Sequence, residues 1–361
     1  MKKYSVSILA FLLYSAVVFY LGWNVYTFLH DWFGVTWKIP FYVIWYVIGF
    51  SMLIGRLSHK LDIFTIIGYY WLAFFQYGIL LFPITNLIIW LAPNSSRDLI
   101  EFFVCQLFIL IFLFGSYYAY TPVTRIKEII IKNDLLADQT LRIVLGSDFH
   151  LGLVMPKRQL KKFVRLSNAE EPDLVFLAGD LVDDLPYWYE KNNMMEEMKK
   201  LEATHGVYGI LGNHEYYGNQ IEKTVQLMEE SQVKMLLDET IVIQDVCVLT
   251  GREDVTNKNR KPLESLKMDS PLPWFIMEHT PKDIETPAKL GADLQVSGHT
   301  HRGQMWPNQL LTRLSFPLDY GYKKVEQLHA ITTSGFGFWG PPIRTNSRAE
   351  LWRIDIKFTK S

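Results

Sequence analysis

The sequence predicts a helical membrane region of four spans followed by an α/β domain. Three observations carry that reading. Nearly all the excess of apolar residues lies before residue 120. Beyond residue 140, short apolar runs alternate with amphipathic stretches. Five short polar motifs follow the ends of those runs in order, each rich in carboxylate, amide or imidazole groups.

The chain has 361 residues, 49% of them hydrophobic and 15% aromatic, which is high for one soluble domain. A net charge of -1 argues against a large nucleic-acid footprint, so no nucleic-acid partner is expected. Cys105 and Cys247 have neither the spacing nor the context of a disulfide or zinc cluster, and read as buried free thiols.

Four apolar runs make up the membrane region. The first, Val6 to Leu29, has no charged residue. Its length, the lack of a small-residue cleavage site and the further runs after it argue against a cleaved signal peptide. The second, Ile39 to Ile54, is short and bounded by Lys38 and Arg56. The third, Ile63 through Ser96, exceeds one span but falls short of two, and Pro83 is expected to end or kink its helix. The fourth covers Phe102 to Tyr118. Trp23, Trp32, Trp37, Trp71 and Trp90 suit interfacial belts. Asn24, Gln76, Asn86 and Gln106 are the notable polar residues inside the runs, and helix-helix contacts account for them.

Basic residues set the expected orientation. Lys2 and Lys3 precede the first run, Arg56 and Lys60 separate the second from the third, and Arg125, Lys127 and Lys132 follow the fourth. The positive-inside rule then predicts a multi-pass plasma-membrane protein whose C-terminal part is cytoplasmic. Losing the second span would reverse that.

Residues 121–140 read as a polar linker with a strand over Ile126 to Ile131. Strands are predicted over Leu141 to Leu145, Leu174 to Leu177, Val207 to Leu211, Ile241 to Leu249, Trp274 to Met277 and Leu294 to Val296. Met194 to Leu201 and Gln220 to Gln232 read as helices.

The motifs are Asp148-Phe149-His150, Gly179-Asp180, Gly212-Asn213-His214-Glu215, His279 and Gly298-His299-Thr300-His301. Each follows a predicted strand, where a loop can aim side chains into one crevice while the sheet holds it rigid. Asp148 and His150 can present a hard oxygen and an imidazole from one turn. His299 and His301, two residues apart, point to one side of an extended backbone and suit imidazole-binding metals. Asp-x-His or Gly-Asp alone would say little; five such motifs in order say much more. Glu215 is expected to hydrogen-bond locally, and Asp183 and Asp184 to form a helix N-cap or solvated turn. His30, His59, His205 and His329 read as structural.

The stretch from Leu141 to Ile356 resembles the calcineurin-like metallophosphoesterase superfamily, whose D-x-H, G-D, G-N-H-[DE], H and G-H-x-H pattern is present here in full. Within it, the chain is similar to a membrane-associated subgroup that includes UDP-2,3-diacylglucosamine pyrophosphatases and transmembrane metallophosphoesterases. The resemblance implies two facing mixed sheets flanked by helices (αββα). It also implies two divalent metal ions, with Asp148, His150 and His301 on one, Asn213, His279 and His299 on the other, and Asp180 bridging. His214 is left as the catalytic proton donor near the leaving group. Arg302 departs from the subgroup's usual glycine and reads equally as a phosphate contact or a solvent-facing residue. Glu278 reads as a supporting carboxylate or an exposed strand residue. The segment Gly335-Phe336-Gly337-Phe338-Trp339-Gly340 is not a dinucleotide fingerprint, because Pro341-Pro342 follow it; the resemblance makes it a loop near the site's mouth.

The expected function is hydrolysis of a phosphodiester, pyrophosphate or phosphomonoester by a metal-bridged hydroxide. The mixed ligand set suits Mn, Fe or Zn. The expected substrate is small or lipid-linked, with a nucleotide-linked glycolipid foremost and the lipid bilayer as partner. A general or cyclic-nucleotide phosphodiesterase on a plain anchor is the runner-up. A membrane sensor with a secondary hydrolase domain is a third reading.

Overall fold

The computed structural model describes residues 2–91, 93 and 96–360. The chain divides into two compact units, Met1–Gly115 with Gly340–Ile343, and Ser116–Trp339 with Arg344–Ser361.

In the first unit, α1 (Lys2–Phe33), α2 (Lys38–Gly49), α3 (Ser51–Gly55), α4 (Asp62–Leu91) and α5 (Arg97–Tyr120) follow one another. Three helices are long and apolar enough to cross a membrane: Ser7–Phe33, His59–Leu91 and Arg97–Tyr120. The expected second span departs from a continuous helix. Phe50 leaves helical geometry (φ -104°, ψ 7°) and splits it into α2 and α3. The two pieces still run back along α1. Tyr26 meets Phe41, Trp45 Nε1 donates to the Val18 carbonyl at 2.9 Å, and Phe11 packs on Phe50. The expected second span is therefore a broken helix, and neither piece is among the three long enough to cross a membrane.

α4 returns along that broken helix, with Gly68 against the Met52 backbone and Trp71 against Trp45. It continues through Pro83 to Leu91, so the proline does not end it. Residues 92, 94 and 95, the tail of the third apolar run, lie outside the described residues. Arg97, at the start of α5, pairs with Asp31 at the end of α1 at 2.9 Å. α1, the α2–α3 pair, α4 and α5 thus run antiparallel in turn, three of them long and apolar enough to cross a membrane, with Ser7 and the Arg56–Lys60 turn on one side of the bundle. Val18, Leu21, Phe41, Trp45, Trp71 and Phe82 form its buried centre.

The second unit holds two six-stranded sheets. The first, in spatial order, is β1 (Val123–Lys132), β12 (Glu350–Thr359), β2 (Thr140–Gly146), β3 (Leu174–Ala178), β4 (Val207–Ile210) and β5 (Lys234–Met235). The second is β10 (Gly321–Val325), β11 (Leu328–Thr332), β9 (Leu294–Ser297), β8 (Trp274–Met277), β7 (Cys247–Gly251) and β6 (Glu239–Ile243). Pairs β12–β2, β10–β11 and β6–β7 are antiparallel and the remaining pairs are parallel, so both sheets are mixed. Ile143, Leu145, Phe176 and Ile210 from one sheet share a core with Leu249, Phe275, Met277 and Val296 from the other. Burying both inner faces removes the apolar strands from water, the dominant favourable term in folding.

The strand expected over Ile126–Ile131 is present and extends over Val123–Lys132, paired in parallel with Glu350–Thr359 at a sheet edge. Two sequence expectations need correction. The run Ile241–Leu249 is two antiparallel strands, split where Asp245 takes φ 58° in a polar turn. Only Met195–Met198 of the predicted helix Met194–Leu201 is helical. In addition, the amphipathic helix Lys157–Asn168 and strands β10, β11 and β12 were not expected. Cys247 is buried and free as expected, whereas Cys105 is only half-buried.

Candidate metal centre

Five parallel strands deliver the motifs to one crevice. β2 ends two residues before Asp148, β3 two before Asp180, β4 three before Asn213, β8 two before His279 and β9 two before His299. The loops then turn sharply. Asp148, His150, Asp180, His299 and His301 all have positive φ, between 44° and 71°. Such non-glycine conformations cost on the order of 1–3 kcal/mol each and persist only where the surroundings enforce them. Here backbone bonds do so: Asp148 N donates to the Gly179 carbonyl and His150 N to that of Asp180, both at 2.9 Å. Gly179 itself needs φ +84°, and a Cβ there would lie 2.5 Å from His279 Nδ1.

All seven predicted donor side chains converge. His150 Nε2 lies 3.1 Å from His301 Nε2, and the latter 3.5 Å from Asp148 Oδ1. On the other side, Asn213 Oδ1 is 3.2 Å from His279 Nε2 and 2.7 Å from His299 Nδ1. Asp180 Oδ2 is 3.2 Å from His279 Nε2 and 3.7 Å from His150 Nε2, so it touches both groups. Among the described residues, Asp148, His150 and His301 form one potential metal-holding group and Asp180, His279 and His299 another.

The donor chemistry fits a cation. His279 Nδ1 donates to the Ala178 carbonyl at 2.8 Å, and its Nε2 faces the carboxamide oxygen of Asn213 and the carboxylate of Asp180. Against burial, the Asp180 and Asp148 charges raise this imidazole well above its ordinary range, so it carries a proton where a cation would stand. Burial pushes His150 down to about 3 and His299 to about 4, so both stay neutral with lone pairs available. Burial, then the neighbouring His150 and Arg344, hold His301 well below its ordinary range too. Burial also lifts Asp148 to about 6. Two carboxylates, an amide oxygen and three neutral imidazoles crowd around the His279 proton, a position that divalent ions would take over.

His214 joins His150 and Asp183 in a third potential metal-holding group beside these two. Its Nδ1 lies 2.6 Å from Asp184 Oδ1, and its backbone N–H donates to Asp180 Oδ1 at 3.0 Å. Burial alone would depress its imidazolium, but the Asp184 hydrogen bond and the charges of Asp180, Asp184 and Asp183 outweigh that and raise it to about 9. Asp183 and Asp184 lie in a bend, as the turn reading expects, with Asp184 exposed, and the following helix is capped by Pro186 instead. Asp184 holds the His214 ring, and Asp183 Oδ1 faces His150 Nδ1 at 4.0 Å.

The remaining motif residues have definite places. Glu215 accepts from Val182 N and Gly212 N at 2.9 and 2.7 Å, as a local brace. Glu278 is buried between Arg252 and Arg260, which excludes the exposed reading. Arg302 stacks its guanidinium 4.4 Å over the Tyr320 ring. Phe336 and Phe338 are buried, whereas Trp339 is 53% exposed with its ring 6.1 Å from that of His214. His329 is bonded to Tyr322 and the Ile130 carbonyl, away from the donors.

One residue escaped the sequence reading. Arg344 is fully buried and donates to the Ser334 and Gly337 carbonyls and to Ser347 Oγ. Its Nη2 has two hydrogens, both committed to closer acceptors, so its 3.2 Å approach to His301 Nδ1 acts through charge.

The calcineurin-like phosphoesterase family profile matches residues 141–303, a stretch that contains every motif from Asp148 to His301. The chain carries a calcineurin-like metallophosphoesterase domain. An uncharacterized metallophosphoesterase of Helicobacter pylori strain J99 is 32% identical over 237 residues, 63% of this chain and 62% of the relative. One from Aquifex aeolicus is 29% identical over 260 residues, 68% of this chain and 97% of the relative. The transmembrane protein with metallophosphoesterase domain of Danio rerio is 28% identical over 234 residues, 60% of this chain and 53% of the relative. The chain thus spans just under two thirds of the Helicobacter relative's length, at 62%. The metallophosphoesterase domain uses divalent ions as a family, and the two donor groups are where its metal would sit.

Proposed function

We propose that this chain is a membrane-attached, two-metal phosphoesterase. Asp148, His150 and His301 hold one divalent ion, Asn213, His279 and His299 the other, and Asp180 bridges them. The observation that carries the reading is the reach of Asp180 Oδ2, within 3.2 Å of one donor group and 3.7 Å of the other. Divalent ions of the Mn, Fe or Zn class supply Lewis acidity toward phosphoryl oxygens and a water acidic enough to attack near neutral pH.

The chain's own groups do the rest. His214, charged by its contact with Asp184, protonates the leaving oxygen as the phosphorus–oxygen bond breaks. Trp339 offers an exposed aromatic face beside that leaving group, which suits an apolar or ring-bearing substrate. Three helices able to cross a membrane, the broken α2–α3 helix, and the basic Arg56–Lys60 turn support a multi-pass plasma-membrane protein with a cytoplasmic catalytic domain. An amphipathic phosphodiester or pyrophosphate, such as a nucleotide-linked glycolipid, is the substrate class that uses both the tether and Trp339.

The test is hydrolysis by detergent-solubilised, metal-supplemented protein, with Asp180→Asn as the blank. A small phosphodiester, a phosphomonoester and a UDP-linked acylated sugar are compared in one assay. Preference for the acylated sugar supports the reading. Turnover of only the small esters moves it to a general phosphodiesterase on a plain anchor. No turnover above the blank, with metal bound, rejects the enzyme.

A further inference from the structure

A cavity of about 630 Å³ opens between α1, α4 and α5 in the half of the bundle that carries Arg97. That volume falls within the roughly 300–1,000 Å³ of small-molecule sites. Phe74, Phe82 and Phe108 form its apolar wall. Polar residues also line it, in helices otherwise built of apolar side chains.

Those polar residues present acceptors. Asn24 Nδ2 donates to the Tyr20 carbonyl at 2.9 Å and Asn86 Nδ2 to Tyr20 Oη at 2.8 Å. Each bond uses one of the two hydrogens on its amide nitrogen, and both carboxamide oxygens are left without a partner among the described residues. The Thr27 and Thr85 hydroxyls donate to the Trp23 and Leu81 carbonyls of their own helices, each at 2.8 Å, so their lone pairs remain. At the rim, Arg97 is held by Asp31 at 2.9 Å and Glu101 at 3.0 Å, two carboxylates against one guanidinium. An anionic head there would meet a surplus of negative charge. Trp23 and Trp90, 47% and 78% exposed, border the cavity as interfacial aromatics do.

We propose that this cavity binds one lipid-like amphiphile whose head donates hydrogen bonds through hydroxyl or ammonium groups. Its chain lies among Phe74, Phe82 and Phe108, and its head meets Asn24 and Asn86 below the Arg97–Glu101 rim. The site lies at the end of the bundle opposite the Arg56–Lys60 turn. It is separate from the phosphoesterase centre and does not depend on that centre's activity.

The test exposes the full chain, in detergent, to an equimolar mixture of a monoacylglycerol, a phosphatidylethanolamine and a phosphatidic acid of one acyl length. Retained lipid is then read by non-denaturing mass spectrometry. One bound monoacylglycerol or phosphatidylethanolamine is expected, roughly tenfold over phosphatidic acid. Which of the two is retained distinguishes a hydroxyl from an ammonium head. Thr85→Phe, which fills the cavity, should abolish retention; Asn86→Leu should keep a bound chain but erase the head preference. Preferential retention of phosphatidic acid, no retained lipid, or a profile that Asn86→Leu leaves unchanged overturns the proposal, and Asn86→Leu decides alone if Thr85→Phe does not fold.

Discussion

His214 Nδ1 and Asp184 Oδ1 lie 2.6 Å apart, although 30 residues separate them in the chain. The carboxylate fixes which ring nitrogen faces away from it and keeps the imidazole charged, as a general acid requires. It ties the Gly212-Asn213-His214-Glu215 motif to the loop after Asp180.

His214→Ala should therefore cost about 100-fold to 10,000-fold on a diester with an alkoxide leaving group. An activated nitrophenolate, which leaves without a proton, should lose far less. Equal losses on the two substrates would reject the acid role.

Asp184→Asn tests the same contact through pH. Burial lowers the His214 pKa, while Asp184, Asp180 and Asp183 raise it to about 9, above its ordinary 6.5. Bound divalent ions act in the opposite sense, so the alkaline limb of the loaded protein falls below 9. Removing the Asp184 charge lowers the pKa further. The alkaline limb of kcat/KM for the alkoxide substrate should move to lower pH, with little change for the nitrophenyl ester. An unmoved limb would separate Asp184 from catalysis.

Gly179→Ala should disturb the centre without removing a donor. The position has φ +84°, and the new methyl would sit 2.5 Å from His279 Nδ1 and 2.9 Å from the Gly212 nitrogen. A stability loss on the order of 1–3 kcal/mol is expected, together with reduced metal content by elemental analysis. Full metal occupancy at an unchanged Tm would show that the loop can yield.

Arg344→Lys should behave nearly as badly as Arg344→Met. A lysine places one ammonium where a planar fork now serves Ser347, Ser334 and Gly337. Each buried acceptor left unpaired costs about 1–3 kcal/mol, so a Tm drop of several degrees is expected in thermal unfolding. A lysine variant as stable as the parent would mean that the loop carbonyls find other donors.

Much of the site was legible because strand ends and motifs coincide along the chain. Asp148, Asp180, Asn213, His279, His299 and His301 each follow a short apolar run, and those runs are parallel strands whose C-terminal ends share one edge. Arg344 was not legible, because its acceptors are loop carbonyls that acquire a direction only when the chain from Ser334 to Ser347 closes around it. The second apolar run was only half legible. Its apolar residues are continuous through Phe50, but the break there accompanies packing of that ring against Phe11 and Tyr14 of α1.

Composition and order by themselves determined the apolar first third, the five motifs and hence the class of chemistry. They could do so because hydrophobic length and ligand type are local properties of the chain. Tertiary structure alone decided that Asp180 reaches both donor groups, that Asp184 and not solvent holds His214, and that Asn24 and Asn86 face one cavity. Those facts depend on distances between residues far apart in sequence, which close only when sheets and helices pack.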